Sequence, residues 1–188
     1  MYCIIWIISR IQMAKIIYPE CNGETYLYEI IKPSGAKKPI HQGPGGIGRV
    51  LKRIKDFNDD TLIGIIDNDN SLPTEFEKYS RIDPADPSRE INSDDQSKSG
   101  IKYYKHNSQN SYLIIQEPDL EGWLCKLGKH NDLFPKGSSI NTPKKMKAIT
   151  KQKATRLGRN TEFKKLIKAI ELLPESPLKE IKDFIEKI

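Results

Sequence analysis

The feature that most constrains the fold of this chain is an uninterrupted apolar run, Thr61–Ile66, which ends at Asp67-Asn68-Asp69. Such runs are typical of strands buried on both faces, as in parallel sheets covered by helices on each side. A second β-favouring run, Ile16–Tyr18, ends at Pro19-Glu20. Each run therefore predicts a buried strand with an acidic residue just past its end.

Apolar residues at helical spacing lie between and after these strands, in the stripes 24–32, 47–57 and 120–127. Strands that alternate with helices favour an α/β fold, so we expect a parallel sheet of about four strands with helices on both faces. Further strands are predicted at 38–42, 101–104 and 112–115. Residues 83–100 are rich in Asp, Ser, Pro and Lys and predict a loop.

The chain divides into three parts. Residues 1–12 precede Met13, which is typical of a protein start, so we interpret them as an upstream extension. Residues 13–142 form the predicted α/β domain. Residues 143–188 carry 13 Lys and Arg against 6 Asp and Glu, while the whole chain has a net charge of +6. This last part predicts a basic helical appendage, with helices that start near Pro143, Asn160 or Thr161, and Pro177.

Composition and cysteine usage exclude several classes of protein. The apolar run Ile4–Ile8 is too short to span a bilayer, which needs about 20 apolar residues, so we expect no membrane partner. Cys3, Cys21 and Cys125 are far apart and form no CxxC pair. Such usage disfavours disulfides and structural zinc, and it predicts a cytoplasmic protein.

Four acidic residues are predicted at one rim of the sheet: Glu20, Asp67, Asp69 and Glu117. Ligands of open α/β sheets bind beyond the carboxyl ends of the strands, where these residues fall. Side chains alternate along extended backbone, so Asp67 and Asp69 point the same way and can hold one cation. Mg²⁺, or Mn²⁺ in its place, prefers such oxygen ligands. Asp and Asn are also common in turns after strands, which is the alternative structural interpretation.

Two stretches resemble the Toprim superfamily. Residues 18–27, Tyr-Pro-Glu-Cys-Asn-Gly-Glu-Thr-Tyr-Leu, resemble its first motif, and Ile65–Asp69 resembles its DxD motif. The resemblance implies Mg²⁺-dependent phosphodiester chemistry, with Asp67 and Asp69 as metal ligands and Glu20 as general acid/base. Because Cys21-Asn22 separates that glutamate from the glycine, Glu24 is an alternative to Glu20 in the catalytic role.

Residues 116–124 are similar to a helix start in small Toprim-like proteins related to OLD-family nucleases and phage-defence systems. This similarity implies that Glu121 is a further metal-site carboxylate beside Glu117. The resemblance covers roughly residues 13–128. It implies a Toprim-like nuclease that acts in phage defence or in DNA or RNA processing, with an ATPase as a partner protein.

Seven basic residues of the C-terminal part predict contact with nucleic acid: Lys144, Lys145, Lys147, Lys151, Lys153, Arg156 and Arg159. One alternative is a non-catalytic Toprim-like binding or assembly subunit. A second alternative is a dinucleotide-binding oxidoreductase, because residues 43–48 match G-x-G-x-x-G ahead of a predicted helix. The histidines at 41, 106 and 130 fit no nucleophile motif and are interpreted as surface or structural, and Trp123 as a core residue.

Overall fold

The computed structural model describes residues 14–41, 46–55, 60–68, 73–92, 99–152 and 154–188. The predicted extension at 1–12 lies outside the described residues, and so do the predicted metal ligand Asp69 and the basic residue Lys153. Within these ranges, no helix combines the length and the apolar character needed to cross a membrane.

Strands and helices are mixed along the chain as far as the last strand, and only helices follow it among the described residues. The strands are β1 Lys15–Pro19, β2 Thr61–Asp67, β3 Tyr79–Asp83, β4 Asp86–Glu90, β5 Ile101–His106 and β6 Ser111–Gln116. The helices are α1 Asn22–Ile31, α2 Gly46–Lys55, α3 Leu120–His130, α4 Pro143–Thr150, α5 Ala154–Leu157, α6 Thr161–Glu171 and α7 Pro177–Lys187. A 3₁₀ helix, Thr74–Lys78, precedes β3.

The described strands form one six-stranded sheet in the order β1-β2-β6-β5-β3-β4. β1, β2 and β6 are parallel, and the other pairings are antiparallel. The α/β class is therefore confirmed, but a purely parallel sheet of about four strands is wrong. The reason lies in the connections, because residues 107–110 and 84–85 are too short for parallel crossovers and permit only hairpins.

Two local predictions are also wrong. Residues 86–90, expected to be part of a loop, form the exposed edge strand β4 paired with β3. Residues 38–41 of the predicted second strand are not a regular strand, although this segment follows the outer edge of β1. There the amide of Lys37 donates to the carbonyl of Lys15 at 2.8 Å, and the amide of Ile40 donates to that of Ile17 at 2.9 Å.

Helices cover both faces of the sheet, as predicted. On one face, α2 buries Val50, Leu51 and Ile54 against side chains of β1, β2 and β6. On the other face, α1, α3 and the C-terminal helices pack in one continuous core. Alternate residues of each central strand reach opposite cores, which explains why Thr61–Ile66 is apolar throughout.

The C-terminal helices begin where the sequence predicts, because Thr142, Asn160 and Ser176 each cap a helix through a side-chain oxygen. They are not a separate appendage, however. The ring of Phe184 on α7 lies 4.6 Å from that of Tyr103 and 5.9 Å from that of Tyr112, measured between centroids. Residues 143–188 thus supply one layer of the main core.

Candidate active site

The parallel pairing of β1 with β2 brings two of the predicted acidic residues together. Glu20 continues β1, and its amide donates to the carbonyl of Ile65 at 2.9 Å. The amide of Asp67, at the end of β2, donates to Oε2 of Glu20 at 3.2 Å. The predicted adjacency of these two strands and of Glu20 and Asp67 is therefore confirmed.

The start of α3 supplies the next part of this rim. Asp119 caps the helix, with Oδ1 accepting from the amide of Gly122 at 2.7 Å. The amide of Leu120 donates to Oδ1 of Asp67 at 2.9 Å, so Asp67 lies at the positive end of the helix. Glu121, in the first turn, is 4% exposed and accepts a short hydrogen bond from the hydroxyl of Thr150 on α4.

Gly23 permits the close approach of three helices behind the rim. A Cβ atom at this position of α1 would lie 2.6 Å from Cδ2 of Leu120 on α3 and 2.9 Å from Cβ of Thr150 on α4. Both distances are below any normal carbon–carbon contact. A glycine is required here if the starts of α1 and α3 are to lie against the end of α4.

Gly46 places the start of α2 against Glu20. Its φ of +57° is in the left-handed region, and a Cβ atom would lie 3.2 Å from Oε1 of Glu20. Gly46 belongs to the glycine-rich motif that suggested a dinucleotide site. A pyrophosphate in such a site needs the helix start, and here a carboxylate lies against it. This geometry disfavours the oxidoreductase interpretation.

These elements surround an open cleft of about 480 Å³ at the carboxyl ends of the parallel strands. Its charged lining consists of three carboxylates and two lysines: Glu20, Asp67, Glu121, Lys147 and Lys151. The uncharged lining consists of Cys21, Asn22, His41, Gly46 and Thr150. The cleft can therefore hold cations and phosphate oxygens side by side.

The carboxylates of the cleft repel one another. Burial raises the pKa of Asp67 to about 7; the hydrogen bond from Leu120 opposes this shift, and the charges of Glu20, Glu121 and Asp119 add to it. The pKa of Lys147 is raised, chiefly by the charge of Glu121. A site with this excess of negative charge is stabilised by a bound cation, which would displace the proton from Asp67.

Glu24 lies below the cleft and is fully buried. Its Oε2 accepts from the amide of Glu20 at 2.7 Å and from that of Cys21 at 2.9 Å, which completes a capping box on α1. Burial, and then the charge of Asp67, hold its pKa well above the usual range. Of the two alternatives for the catalytic glutamate, Glu20 therefore lines the cleft, whereas Glu24 fixes the loop that carries it.

Glu117 does not lie in the cleft. Its Oε1 accepts from Nζ of Lys102 and from Nδ2 of Asn68, each at 2.6 Å. The side chain of Gln116 lies on the same face of β6 as that of Ile114, which is part of the core beneath α1 and α3. The next residue therefore points to the opposite face, so that Glu117 and Asp67 do not converge.

The predicted basic residues divide into two groups. Lys147 and Lys151 are one helical turn apart and line the cleft, and Nζ of Lys147 lies 3.5 Å from Oδ2 of Asp119. The others that the structure describes are exposed outside the cleft: Lys144, Lys145, Arg156 and Arg159. Basic side chains thus extend from the cleft onto the adjoining surface.

Sequence reasoning missed His41 and Thr150. His41 lines the cleft, burial lowers its pKa, and its Nδ1 has no hydrogen-bond partner among the described residues. The predicted strand at 38–42 and the glycine-rich motif at 43–48 gave no indication of an acidic cleft, so only the fold reveals the position of His41. Thr150 was missed because it lies in a lysine-rich helix, whose composition predicted only contact of its surface with nucleic acid. Trp123 is confirmed as a core residue, 1% exposed, with Nε1 donating to the carbonyl of Ser99 at 2.7 Å.

Within the described ranges, no three His, Cys, Asp or Glu side chains are close enough to hold a metal ion together. The donor chemistry nevertheless fits Mg²⁺, because Glu20, Asp67 and Glu121 offer only carboxylate oxygens to one cleft. The fold and cleft define an α/β protein with an acidic site at a sheet rim. No protein-family model, curated protein or solved structure matches the chain. The resemblance to the Toprim superfamily therefore stays a prediction.

Proposed function

We propose that this protein is a Mg²⁺- or Mn²⁺-dependent nuclease that cleaves phosphodiesters of nucleic acid. The observation that carries the proposal is the pairing of opposite charges in one cleft. Glu20 and Asp67 meet at adjacent strand ends, and Lys147 on α4 and Lys151 just after it line the same cleft. This combination suits a substrate whose own charge is negative.

In this proposal Asp67 and Asp69 are metal ligands, and Glu121 supports a second position across the cleft. A bound Mg²⁺ would supply Lewis-acid stabilisation of the phosphoryl oxygens. Glu20 accepts a proton from the attacking hydroxyl or water, because its carboxylate lines the cleft beside Asp67. Leu120 and Glu24 orient these groups through backbone hydrogen bonds.

The lysines hold the substrate in the proposed mechanism. Lys147 and Lys151 neutralise phosphate oxygens beside the scissile bond, and the exposed basic residues of α4 and of residues 156–159 hold the flanking backbone. The similarity of residues 18–27, 65–69 and 116–124 to Toprim motifs supports this reading. It also suggests a cytoplasmic role in phage defence or nucleic-acid processing with an ATPase partner.

The proposal is tested with purified wild-type protein and the variant Asp67→Asn on plasmid, single-stranded DNA, RNA and tRNA, with Mg²⁺, Mn²⁺ or EDTA. Asp67→Asn removes a metal ligand and should lower cleavage at least about 100-fold with little change in affinity. Asp183→Asn, an exposed change on α7, is the matched control and should cleave as the wild type does. Equal metal-dependent cleavage by all three proteins would refute the catalytic assignment.

A second candidate function is a non-catalytic binding or assembly subunit. It is supported by the two lysines of the cleft, which can bind phosphates with or without a metal ion. In that case the cleft would bind phosphates through Lys147 and Lys151 without turnover. Metal-independent binding of the same nucleic acids, with no product under any condition, would select this function over the nuclease.

A further inference from the structure

A second cavity, of about 280 Å³, lies at the end of the sheet strands opposite to the cleft. It is bordered by the end of α2, the 3₁₀ helix and the loop between β5 and β6. Tyr79 in its wall lies 3.5 Å, hydroxyl to hydroxyl, from Ser111, the first residue of β6. Asp67 is at the other end of β2, so the strand length separates the two sites by roughly 20 Å.

Two aromatic rings form a corner of this cavity. Tyr79 and His106 are direct partners on β3 and β5, with centroids 4.9 Å apart and ring planes at 88°. Phe76 stacks behind Tyr79 at 6.3 Å. Both rings are half-buried and are held by paired strands, and because their planes are perpendicular, a flat ligand that stacks on one of them meets the other with its edge.

His106 also offers a hydrogen-bond donor. The amide of Ser108 donates to its Nδ1 at 3.2 Å, so the ring proton is on Nε2. Burial, and then the nearby Lys78, lower the pKa of His106, and the ring is neutral at pH 7. A neutral imidazole can stack on an aromatic base and can donate to a polar atom at its edge.

The charge of the cavity is positive. Lys55 and Lys78 line it together with one acidic residue, Glu75. Neither lysine forms a salt bridge within the part of the chain that the structure describes. An aromatic corner beside two ammonium groups complements a base attached to a phosphate, as in single-strand-binding proteins generally.

We propose that this cavity binds one nucleotide of a single-stranded nucleic acid, with its base against Tyr79 and His106 and its phosphate near Lys55 and Lys78. A paired base has both faces covered by its neighbours in the duplex, so only an unpaired base can enter. The inference rests on the proposed function only for the choice of nucleic acid as the partner. It requires binding and not cleavage.

Binding is measured by fluorescence anisotropy in EDTA, which prevents turnover, with labelled 12-nucleotide single-stranded DNA and RNA and with the corresponding duplexes. His106→Ala should weaken binding of the single strands at least about fivefold, because it removes a stacking face. Lys55→Ala/Lys78→Ala should weaken it similarly and lower the salt dependence. The double variant Lys164→Ala/Lys168→Ala removes two exposed lysines from α6 and should leave binding unchanged.

A direct readout separates the cavity from the cleft. The imidazole Cε1–Hε1 signal of His106, identified by its loss in His106→Ala, should shift when the single strand is added to Asp67→Asn protein. No shift at saturation, or equal shifts and affinities with duplex, would overturn the proposal. Failure of the nuclease proposal shows instead as a lack of cleavage, which leaves this signal and the affinity differences intact.

Discussion

The surroundings of Asp67 in the fold oppose the negative charge that this residue needs as a metal ligand. Its carboxylate accepts a hydrogen bond from the amide of Leu120, but it is also buried close to Glu20 and Glu121. These surroundings raise its pKa from 3.8 to about 7. Below about pH 4 the group is protonated whether the chain is folded or not. Between pH 4 and 7 the unfolded chain releases the proton and the folded chain keeps it. The free energy of unfolding therefore falls as the pH rises through this window.

We therefore expect Asp67→Asn to be more stable than the wild type at pH 7.5 without metal, by on the order of 4 kcal/mol. At pH 4 the two proteins should be equally stable. Mg²⁺ at pH 7.5 should stabilise the wild type and not the variant. Urea unfolding at both pH values measures these differences. A variant less stable than the wild type at pH 7.5 would mean that Asp67 is not destabilised by its surroundings.

Gly46 offers a test of how Glu20 is positioned. Gly46→Ala forces a side chain into a left-handed backbone and against Oε1 of Glu20, so it should displace the carboxylate and reduce cleavage about 10-fold to 100-fold. Gly48→Ala is the control, because a Cβ atom at Gly48 meets nothing within 4 Å. That change should keep activity and stabilise α2. Equal activities of the two variants would show that Glu20 needs no support from α2.

The sequence correctly predicted the location of those acidic side chains whose position is set by the end of a strand. Glu20 and Asp67 lie at the ends of buried strands that pair in parallel, and the apolar runs of the sequence locate both ends. It failed for Glu117, because alternation on β6 turns this side chain toward Lys102. It also gave no indication of His41, which reaches the cleft through a segment that was predicted to be a strand and forms no regular one.

Among the elements, α7 tests whether the C-terminal helices belong to the main core. Phe184 is 1% exposed and packs on Tyr103 and Tyr112. Phe184→Ala should destabilise the whole protein by about 3–5 kcal/mol in a single unfolding transition. Leu172→Ala, at a residue that is 84% exposed, should change stability by less than about 0.5 kcal/mol. Two separate transitions would instead indicate an independent C-terminal unit.

The elements that the sequence predicted best are those with one strong pattern. The buried strands, the amphipathic stripes and the capped C-terminal helices all appear. β4 was missed because an exposed edge strand needs no apolar face, and its residues Asp86–Glu90 have the composition of a loop. The appendage was predicted from charge, although the lysines of α6 and α7 lie on one side of helices whose other side is buried.

At the scale of the whole molecule, the exposed basic residues beside the cleft should contribute affinity without selectivity. Replacing Lys144, Lys145 and Arg159 with Ala should weaken binding to all nucleic-acid sequences alike and lower the salt-dependence slope by about 0.7 per lost phosphate contact on single strands. Cleavage at saturating substrate should persist. The matched triple variant Lys164→Ala/Lys165→Ala/Lys168→Ala on α6 should bind as the wild type does. A loss confined to particular sequences would indicate contact with bases instead.

The hydrogen bonds between residues 36–40 and β1 affect how molecules of this protein can associate. The carbonyls of Lys15 and Ile17 point away from the sheet and are already bonded by Lys37 and Ile40. Another chain that added a strand at β1 would have to displace this segment first. At the opposite edge, β4 contains Pro87 together with the charged residues Asp86, Arg89 and Glu90, which also opposes strand addition. Both edges of the described sheet therefore resist the edge-to-edge pairing that leads to aggregation.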